Sequence, residues 1–165
     1  MKAILSVAIL ASLFLLSACD RTRISEYNSD LPRRVWNEDS LVNFDFDFGG
    51  REMPVNMYLN LRNSVDYPWR NIYVGFWLKD SADNVLITNT DDVGKLKYFE
   101  LFDPKTGFPK GDGLGDIFEH QFLIIENYLL PGPGRYTISF QQFMRKKDLE
   151  GIVSVGYRLE KAGQD

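Results

Sequence analysis

Apolar and polar residues alternate strictly along two neighbouring stretches of the chain. Residues 42–48 place Val or Phe at every second position, with Asn or Asp between them, and residues 55–62 repeat the pattern with Val, Met and Leu. A period of two puts apolar side chains on one face of a β-strand and polar side chains on the other. Both stretches are therefore predicted to be antiparallel strands with one buried face.

Six further stretches have the apolar and β-branched composition of strands, at 72–78, 85–90, 95–102, 120–129, 135–143 and 152–160. Turn residues separate them, as in the Pro-Gly-Pro-Gly run at 131–134. No long helical pattern intervenes; only 144–150 is expected to form a short helical turn. About eight strands predict an all-β fold, a two-sheet antiparallel β-sandwich, of which the jelly roll is one arrangement.

The first residues follow a different pattern. Lys2 precedes an apolar run at 3–16, and two small residues then lead to Cys19, the only cysteine. This order predicts a secretory signal peptide, and the run is shorter than the roughly 20 apolar residues of a membrane-spanning helix. Residues 16–19, Leu-Ser-Ala-Cys, resemble the lipobox of bacterial lipoproteins. The resemblance implies cleavage of the signal peptide 1–18 and lipidation of Cys19.

Three segments follow from this pattern. After the signal peptide, residues 19–34 contain few apolar side chains and are predicted to be a lipidated N-terminus and a tether that holds the domain away from the lipid. Residues 35–165 are predicted to be the sandwich domain. Two or three acyl chains such as palmitate would hold this domain at a membrane without a spanning segment.

The amino-acid composition excludes several classes of partner and bound group. Lys and Arg number 19 against 23 Asp and Glu, so the formal net charge is −4 and no nucleic-acid partner is predicted. With Cys19 consumed by the anchor, no cysteine is left for a disulfide, a zinc site or a nucleophile. No cofactor, metal or small-molecule substrate is expected.

Catalytic chemistry has few candidate residues. His120 is the only histidine, the chain has no Gly-x-Ser-x-Gly motif, and the alternation around His120 is interpreted as the polar face of a strand. Asp45 and Asp47 lie two apart on one strand face, close enough for a glycosidase pair, but alternating acids are more typical of the solvent face of an edge strand. We therefore predict that the protein is not an enzyme.

Calcium binding stays open at this point. Calcium needs only oxygen ligands, and the loop at 111–116 combines glycines with two aspartates. The loop lacks the spacing and the terminal Glu of an EF-hand, and solvated turns have the same composition.

One turn concentrates aromatic and cationic side chains. The candidate partner-binding residues are Arg62, Tyr67, Trp69, Arg70 and Tyr73. Such side chains are enriched in protein interfaces and in platforms that stack on sugars. The alternative is that Trp69 fills the end of the core while the arginines pair with local carboxylates.

Several stretches together resemble a known family. They are residues 61–63 and 66–73, the glycine-rich loop 107–115, the run 140–145, and the C-terminal run 149–160. With the lipobox, they resemble the GldH family of gliding-motility lipoproteins. The resemblance implies a lipid-anchored envelope protein of Bacteroidetes-type bacteria that surface gliding requires and that is associated with the export of adhesins. It implies other envelope gliding and secretion proteins as partners, and no known enzymatic reaction.

The predicted function is therefore a noncatalytic interaction or scaffold component of the gliding and secretion machinery. The alternative is a carbohydrate-binding envelope lipoprotein that uses the aromatic turn as its platform. Cys19 is followed by one acid and two arginines within four residues, rather than by an acidic cluster. This favours a periplasm-facing domain anchored in the cell membrane or the outer membrane.

Overall fold

A computed structural model describes residue 20 and residues 22–90 and 96–163, so the predicted signal peptide and Cys19 lie outside the described residues. Within these ranges the chain forms twelve strands. They are β1 (Arg23–Asp30), β2 (Val35–Asn37), β3 (Val42–Phe48), β4 (Met53–Ser64), β5 (Asn71–Lys79), β6 (Val85–Thr88), β7 (Lys97–Glu100), β8 (Asp112–Leu114), β9 (Ile117–Leu130), β10 (Gly134–Gln142), β11 (Asp148–Glu150) and β12 (Ile152–Lys161). The eight predicted strands correspond to β3–β7, β9, β10 and β12.

Two antiparallel sheets form the body of the domain. The first sheet has the strand order β1-β12-β4-β9-β8. The second sheet has the order β3-β10-β5-β6, and β7 pairs with the other half of the same edge of β5. The prediction of an all-β antiparallel sandwich is confirmed.

The alternating stretches supply the core between the sheets. Phe44, Phe46 and Phe48 of β3 are buried, whereas the polar residues between them are exposed. The ring of Tyr157, on the first sheet, lies 5.5 Å from the rings of both Phe44 and Phe46. Aromatic contacts therefore join the two sheets directly.

A small third sheet pairs β2 with β11. Leu149 lies opposite Trp36, and both side chains are fully buried. The expected helical turn at 144–150 is therefore wrong. β2 offers unpaired backbone groups and Trp36 offers an apolar contact, and together these favour an extended conformation at 148–150 over an isolated helical turn.

The predicted tether is also corrected. Arg23–Asp30 forms β1, an edge strand whose pairing with β12 runs from Arg23 opposite Glu160 to Asp30 opposite Ser154. Backbone pairing, rather than burial of large apolar side chains, attaches this polar segment to the sheet. Ser25 adds a 2.6 Å hydrogen bond between its hydroxyl and that of Tyr157. The segment Arg23–Asp30 therefore belongs to the folded domain.

The long strands define two ends of the sandwich. At the Asp20 end lie the start of β1 and the end of β12, together with the loops 49–52, 80–84 and 131–133. At the Trp69 end lie the turn 65–70, the segment 101–116 and the segment 143–151. Among the described residues, no helix is long and apolar enough to cross a membrane.

Candidate functional site

An exposed apolar groove lies at the Trp69 end. It has a volume of about 490 Å³ and is lined by Trp69, Tyr73, Leu96, Phe143, Met144, Arg145 and Lys146, which we call the Trp69 groove. Trp69, Tyr73 and Phe143 are each about 40% exposed, at 40%, 39% and 38%. Three large aromatic side chains therefore present part of their surface to solvent in one concave site.

Gln142, the last residue of β10, holds one wall of the Trp69 groove. Its side-chain amide donates a 2.7 Å hydrogen bond to the carbonyl of Lys146, and its carbonyl oxygen accepts a 2.7 Å bond from the backbone N–H of Met144. The backbone N–H of Phe143 donates to the carbonyl of Tyr73 at 2.8 Å. The segment 143–146 is therefore fixed against β5 although it is not part of a strand.

Tyr67 does not belong to the exposed surface. Its side chain is buried, and its hydroxyl donates a 3.0 Å hydrogen bond to the carbonyl of Asn71. Burial raises the pKa of this phenol above its usual value. Tyr67 therefore packs inside the turn. It has the core-filling role that the sequence offered as an alternative for Trp69.

Arg70 lies beside Trp69 but lines a second, smaller groove. This groove has a volume of about 280 Å³ and is lined by Val65, Tyr67, Pro68, Trp69, Arg70, Phe102, Asp103, Pro104 and Gly107. The carbonyl of Arg70 accepts hydrogen bonds from the backbone N–H groups of Leu101 and Phe102, at 2.9 and 3.1 Å. Trp69 is shared by both grooves, so it forms the ridge between them.

Arg62 lies on the first sheet and is not part of either groove. It is opposite Glu119 in the pairing of β4 with β9, and its Nη2 atom lies 3.1 Å from the carboxylate of Glu119. The structure therefore brings together Trp69, Tyr73 and, along the ridge, Arg70, whereas Tyr67 and Arg62 have local structural contacts.

One wall of the Trp69 groove consists of residues that were not predicted from the sequence. Phe143, Met144, Arg145 and Lys146 follow the end of β10, and the Nζ atom of Lys146 lies 6.0 Å from the centre of the Trp69 ring. The signal was present as two apolar residues followed by three basic ones at the end of a predicted strand. What the sequence does not give is that the end of β10 lies beside the start of β5.

The charge of the Trp69 groove is positive. Its lining residues include Arg145 and Lys146, and none of them carries a carboxylate. The cation of Lys146 over the Trp69 ring is at the outer limit of a cation–π interaction. The groove is suited to an apolar or aromatic group flanked by negative charge.

His120 is not on the polar face predicted for it. Its side chain is 5% exposed and stacks on Phe122, with ring centres 5.4 Å apart. Burial lowers its pKa to about 4, against a weaker opposing effect of Asp112. The prediction failed because His120 has the same strand parity as Phe118, Phe122 and Ile124, which place this face toward the interior.

A cleft of about 640 Å³ lies near His120. Its lining residues are Tyr98, Phe99, Glu100, Lys110, Gly111, Asp112, Glu119, His120, Gln121 and Phe122. It combines aromatic rings with carboxylates and an amide. In the part of the chain that the structure describes, no three His, Cys, Asp or Glu side chains are grouped closely enough to hold a metal ion.

The class that these features define is an all-β sandwich protein with an aromatic and basic groove at one end. The family description that matches residues 23–159 is that of the GldH lipoprotein. The chain therefore belongs to the GldH lipoprotein family, and the resemblance seen in the sequence is confirmed.

Two similar proteins cover nearly the whole chain. One is a gliding motility lipoprotein GldH homolog of Christiangramia forsetii, 32% identical over 92% of this chain and 91% of its own length. The other is the gliding motility lipoprotein GldH of Flavobacterium johnsoniae, 28% identical over 92% of this chain and 93% of its own length. A solved structure of infectious bursal disease virus, Gx strain, is 12% identical over 87% of this chain and 33% of its own, with a TM-score of 0.45.

Proposed function

We propose that this protein is a lipid-anchored, noncatalytic component of the gliding motility machinery and of the protein secretion associated with it. Its lipid anchor is Cys19, and its domain faces the periplasm. It binds other envelope proteins of that machinery through the Trp69 groove. The observation that carries the proposal is the exposed, positively charged aromatic groove in a family whose relatives are gliding lipoproteins.

The composition of the groove supports a protein partner. Tryptophan, tyrosine, methionine and arginine are the side chains enriched in interfaces, and all four types line this groove. The groove also has a braced wall, because Gln142 ties down the segment 143–146. A preformed surface loses less conformational entropy on binding. Positive charge in the groove complements an acidic segment of the partner.

The location of His120 supports a noncatalytic role. A general base must reach the proton that it removes and must titrate near the working pH. The side chain of His120 is buried against Phe122 and hydrogen-bonded to Asn63, and its pKa is lowered to about 4. The single histidine of the chain is therefore explained as part of the core.

Crosslinking in cells tests the partner surface. Native lipidated protein is crosslinked mildly, solubilised in detergent and recovered from wild type, from Trp69→Ala and from Tyr27→Ala, a control aromatic residue exposed on β1. We expect envelope proteins of the gliding or secretion machinery to be recovered with wild type and with Tyr27→Ala. They should be lost with Trp69→Ala, although the melting transition of that variant persists. Equal recovery from all three would overturn the proposed surface.

Carbohydrate binding is a second candidate function. The cleft beside His120 is better suited to it than the Trp69 groove is. Tyr98 is exposed there, next to Glu119 and Gln121, and this combination of a ring with carboxylate and amide groups suits sugar hydroxyls. Calorimetry with envelope polysaccharide fragments tests it. Binding that Tyr98→Ala abolishes would support this candidate, and absence of heat with every fragment would remove it.

A further inference from the structure

Asp20 and Thr22 are both bonded to the first sheet. The Oδ1 atom of Asp20 accepts hydrogen bonds from the backbone N–H and the hydroxyl of Thr22, at 3.1 and 2.7 Å. Its second carboxylate oxygen binds the guanidinium of Arg158 in β12. The carbonyl of Thr22 accepts a 2.9 Å hydrogen bond from the backbone N–H of Lys161.

Electrostatics strengthen this attachment. Arg158 also contacts Glu26 and Glu160, so one cation holds three carboxylates at the start of β1. The hydrogen bonds from Thr22 and the charge of Arg158 lower the pKa of Asp20 to about 2, so the carboxylate is ionised at neutral pH. The side chain of Arg158 is only 17% exposed, which reduces screening by solvent.

The lipidated residue would therefore have almost no tether. Cys19 directly precedes Asp20 in the sequence, and consecutive Cα atoms are about 3.8 Å apart. An acyl group on Cys19 would thus be attached within one residue of a side chain bound to the sheet. The tether predicted at 19–34 would have allowed movement on the order of tens of Å, whereas an attachment one residue long allows much less.

The Trp69 groove lies at the opposite end of the same strands. β12 ends at Lys161 beside Thr22 and begins after Gly151, where an added Cβ would be 2.8 Å from the Cα of Tyr67. Tyr67 is two residues from Trp69 in the turn. Because β12 spans ten residues, Asp20 and the groove are roughly 30 Å apart at the usual rise of a strand.

We propose that the Asp20 end of the sandwich docks on the lipid headgroups of the anchoring membrane and holds the Trp69 groove away from that membrane. The proposal rests on the lipidation of Cys19 in the proposed function. The docking surface consists of the loops 49–52, 80–84 and 131–133, which lie at the same end of the sandwich as Asp20. Its exposed side chains include charges of both signs, Arg51, Glu52 and Asp83, which suits contact with headgroups rather than insertion into hydrocarbon.

In this orientation the Trp69 groove faces the periplasm and binds its partner there. A protein bound at the Trp69 end approaches from the side away from the bilayer that holds the anchor, and a segment lying flat on that bilayer does not reach the groove. Because the attachment at Asp20 is short, the position of the lipid anchor determines the orientation of the whole domain.

Fluorescence quenching in vesicles tests the orientation without any partner protein. Full-length lipidated protein is reconstituted into phosphatidylethanolamine–phosphatidylglycerol vesicles that contain headgroup-spin-labelled lipid, and the mass of the acylated N-terminus is verified. Because acylated Cys19 is blocked, an introduced cysteine takes a fluorophore uniquely. Gly49→Cys probes the Asp20 end, where an added Cβ meets nothing within 4 Å, and Lys105→Cys probes an exposed site at the Trp69 end.

We expect several-fold stronger quenching at position 49 than at position 105. A Gly/Ser linker of about 15 residues inserted between Cys19 and Asp20 should remove most of this difference, since a flexible chain of that length lets the domain turn. Equal quenching at the two positions, stronger quenching at position 105, or an N-terminus without acyl mass would overturn the proposal. Loss of crosslinked partners would bear on the groove alone and leave the orientation intact.

Discussion

The Nε2 atom of His120 lies 2.9 Å from the Oδ1 atom of Asn63, and both side chains are buried. The amide nitrogen of Asn63 donates a 3.0 Å hydrogen bond to the carbonyl of Ser64, which identifies Oδ1 as the acceptor facing His120. Nε2 therefore carries the proton of a neutral imidazole. The pair satisfies two buried polar side chains, one on β4 and one on β9.

We predict that this pair makes stability depend on pH between about 6.5 and 4. The pKa of His120 is 6.5 when unperturbed and about 4 in the folded protein, because burial disfavours the cation. The unfolded chain therefore binds a proton in this window that the folded chain does not. The contribution of His120 to the free energy of unfolding is fully present above pH 6.5. It is lost as the pH decreases toward 4, and the loss is about 3 kcal/mol at most.

Urea titrations at pH 7.5, 5.5 and 4.5 measure this effect, with His120→Gln as the control. Glutamine keeps an N–H donor for Asn63 but has no proton to gain. The pH-dependent loss should be smaller in the variant by about the amount assigned to His120. Parallel losses in the two proteins would contradict the assignment.

Gly156 sets the distance between β1 and β12. An added Cβ would lie 2.0 Å from the Oδ1 atom of Asn28 and 2.4 Å from the carbonyl oxygen of Tyr27. We expect Gly156→Ala to displace β1 and to lower the free energy of unfolding by about 1–3 kcal/mol. Hydrogen exchange of the β1 amides should accelerate. Gly49→Ala, where an added Cβ meets nothing within 4 Å, should change neither quantity; protection of β1 that survives Gly156→Ala would be the contrary result.

The strands with a strong period of two could be predicted from the sequence, but β1 could not. In β3 the burial of three phenylalanines is visible in the alternation itself. β1 has the sequence RISEYNSD, and its attachment depends on backbone pairing with β12 and on the carboxylates around Arg158. These partners are more than a hundred residues away, so a local pattern does not contain them.

The candidate site was predictable only as a region. The aromatic turn identified Trp69 and Tyr73, but turn residues have no period that separates inside from outside, so Tyr67 could not be distinguished from Trp69. The remaining wall, 143–146, comes from another strand end. His120 is different, because it shares the strand parity of Phe118 and Phe122, so its inward orientation could be predicted from the sequence.

Trp36 and Trp69 should respond very differently to truncation. Trp36 is fully buried and donates a 3.0 Å hydrogen bond from Nε1 to the carbonyl of Ser40, whereas Trp69 is 40% exposed. Trp36→Ala should lower the free energy of unfolding by about 3–5 kcal/mol, and Trp69→Ala should lower it by about 1–2 kcal/mol. Chemical denaturation of both variants measures the difference. Comparable losses would show that Trp69 is a core residue, and would remove the groove as a binding surface.

Arg158 should determine whether the start of β1 stays on the sheet. Arg158→Gln leaves Asp20 and Glu160 close together without their cation, and leaves Glu26 paired with Arg23 alone. We therefore expect a lower melting temperature and faster hydrogen exchange in the first residues of β1. The control is Arg135→Gln, which removes a single exposed pair with Asp45 and should have little effect.

The pH dependence of the Arg158→Gln defect identifies its cause. In the wild type the pKa of Asp20 is about 2, against 3.8 for the unperturbed group, because Thr22 and Arg158 stabilise the ionised carboxylate. The stabilisation of the wild type by Asp20 is therefore complete above pH 3.8 and is lost as the pH falls through 2. The difference in melting temperature between wild type and variant should be largest at neutral pH and should narrow below pH 4. A difference that is constant with pH would mean that Arg158 acts by packing and not through the charge of Asp20.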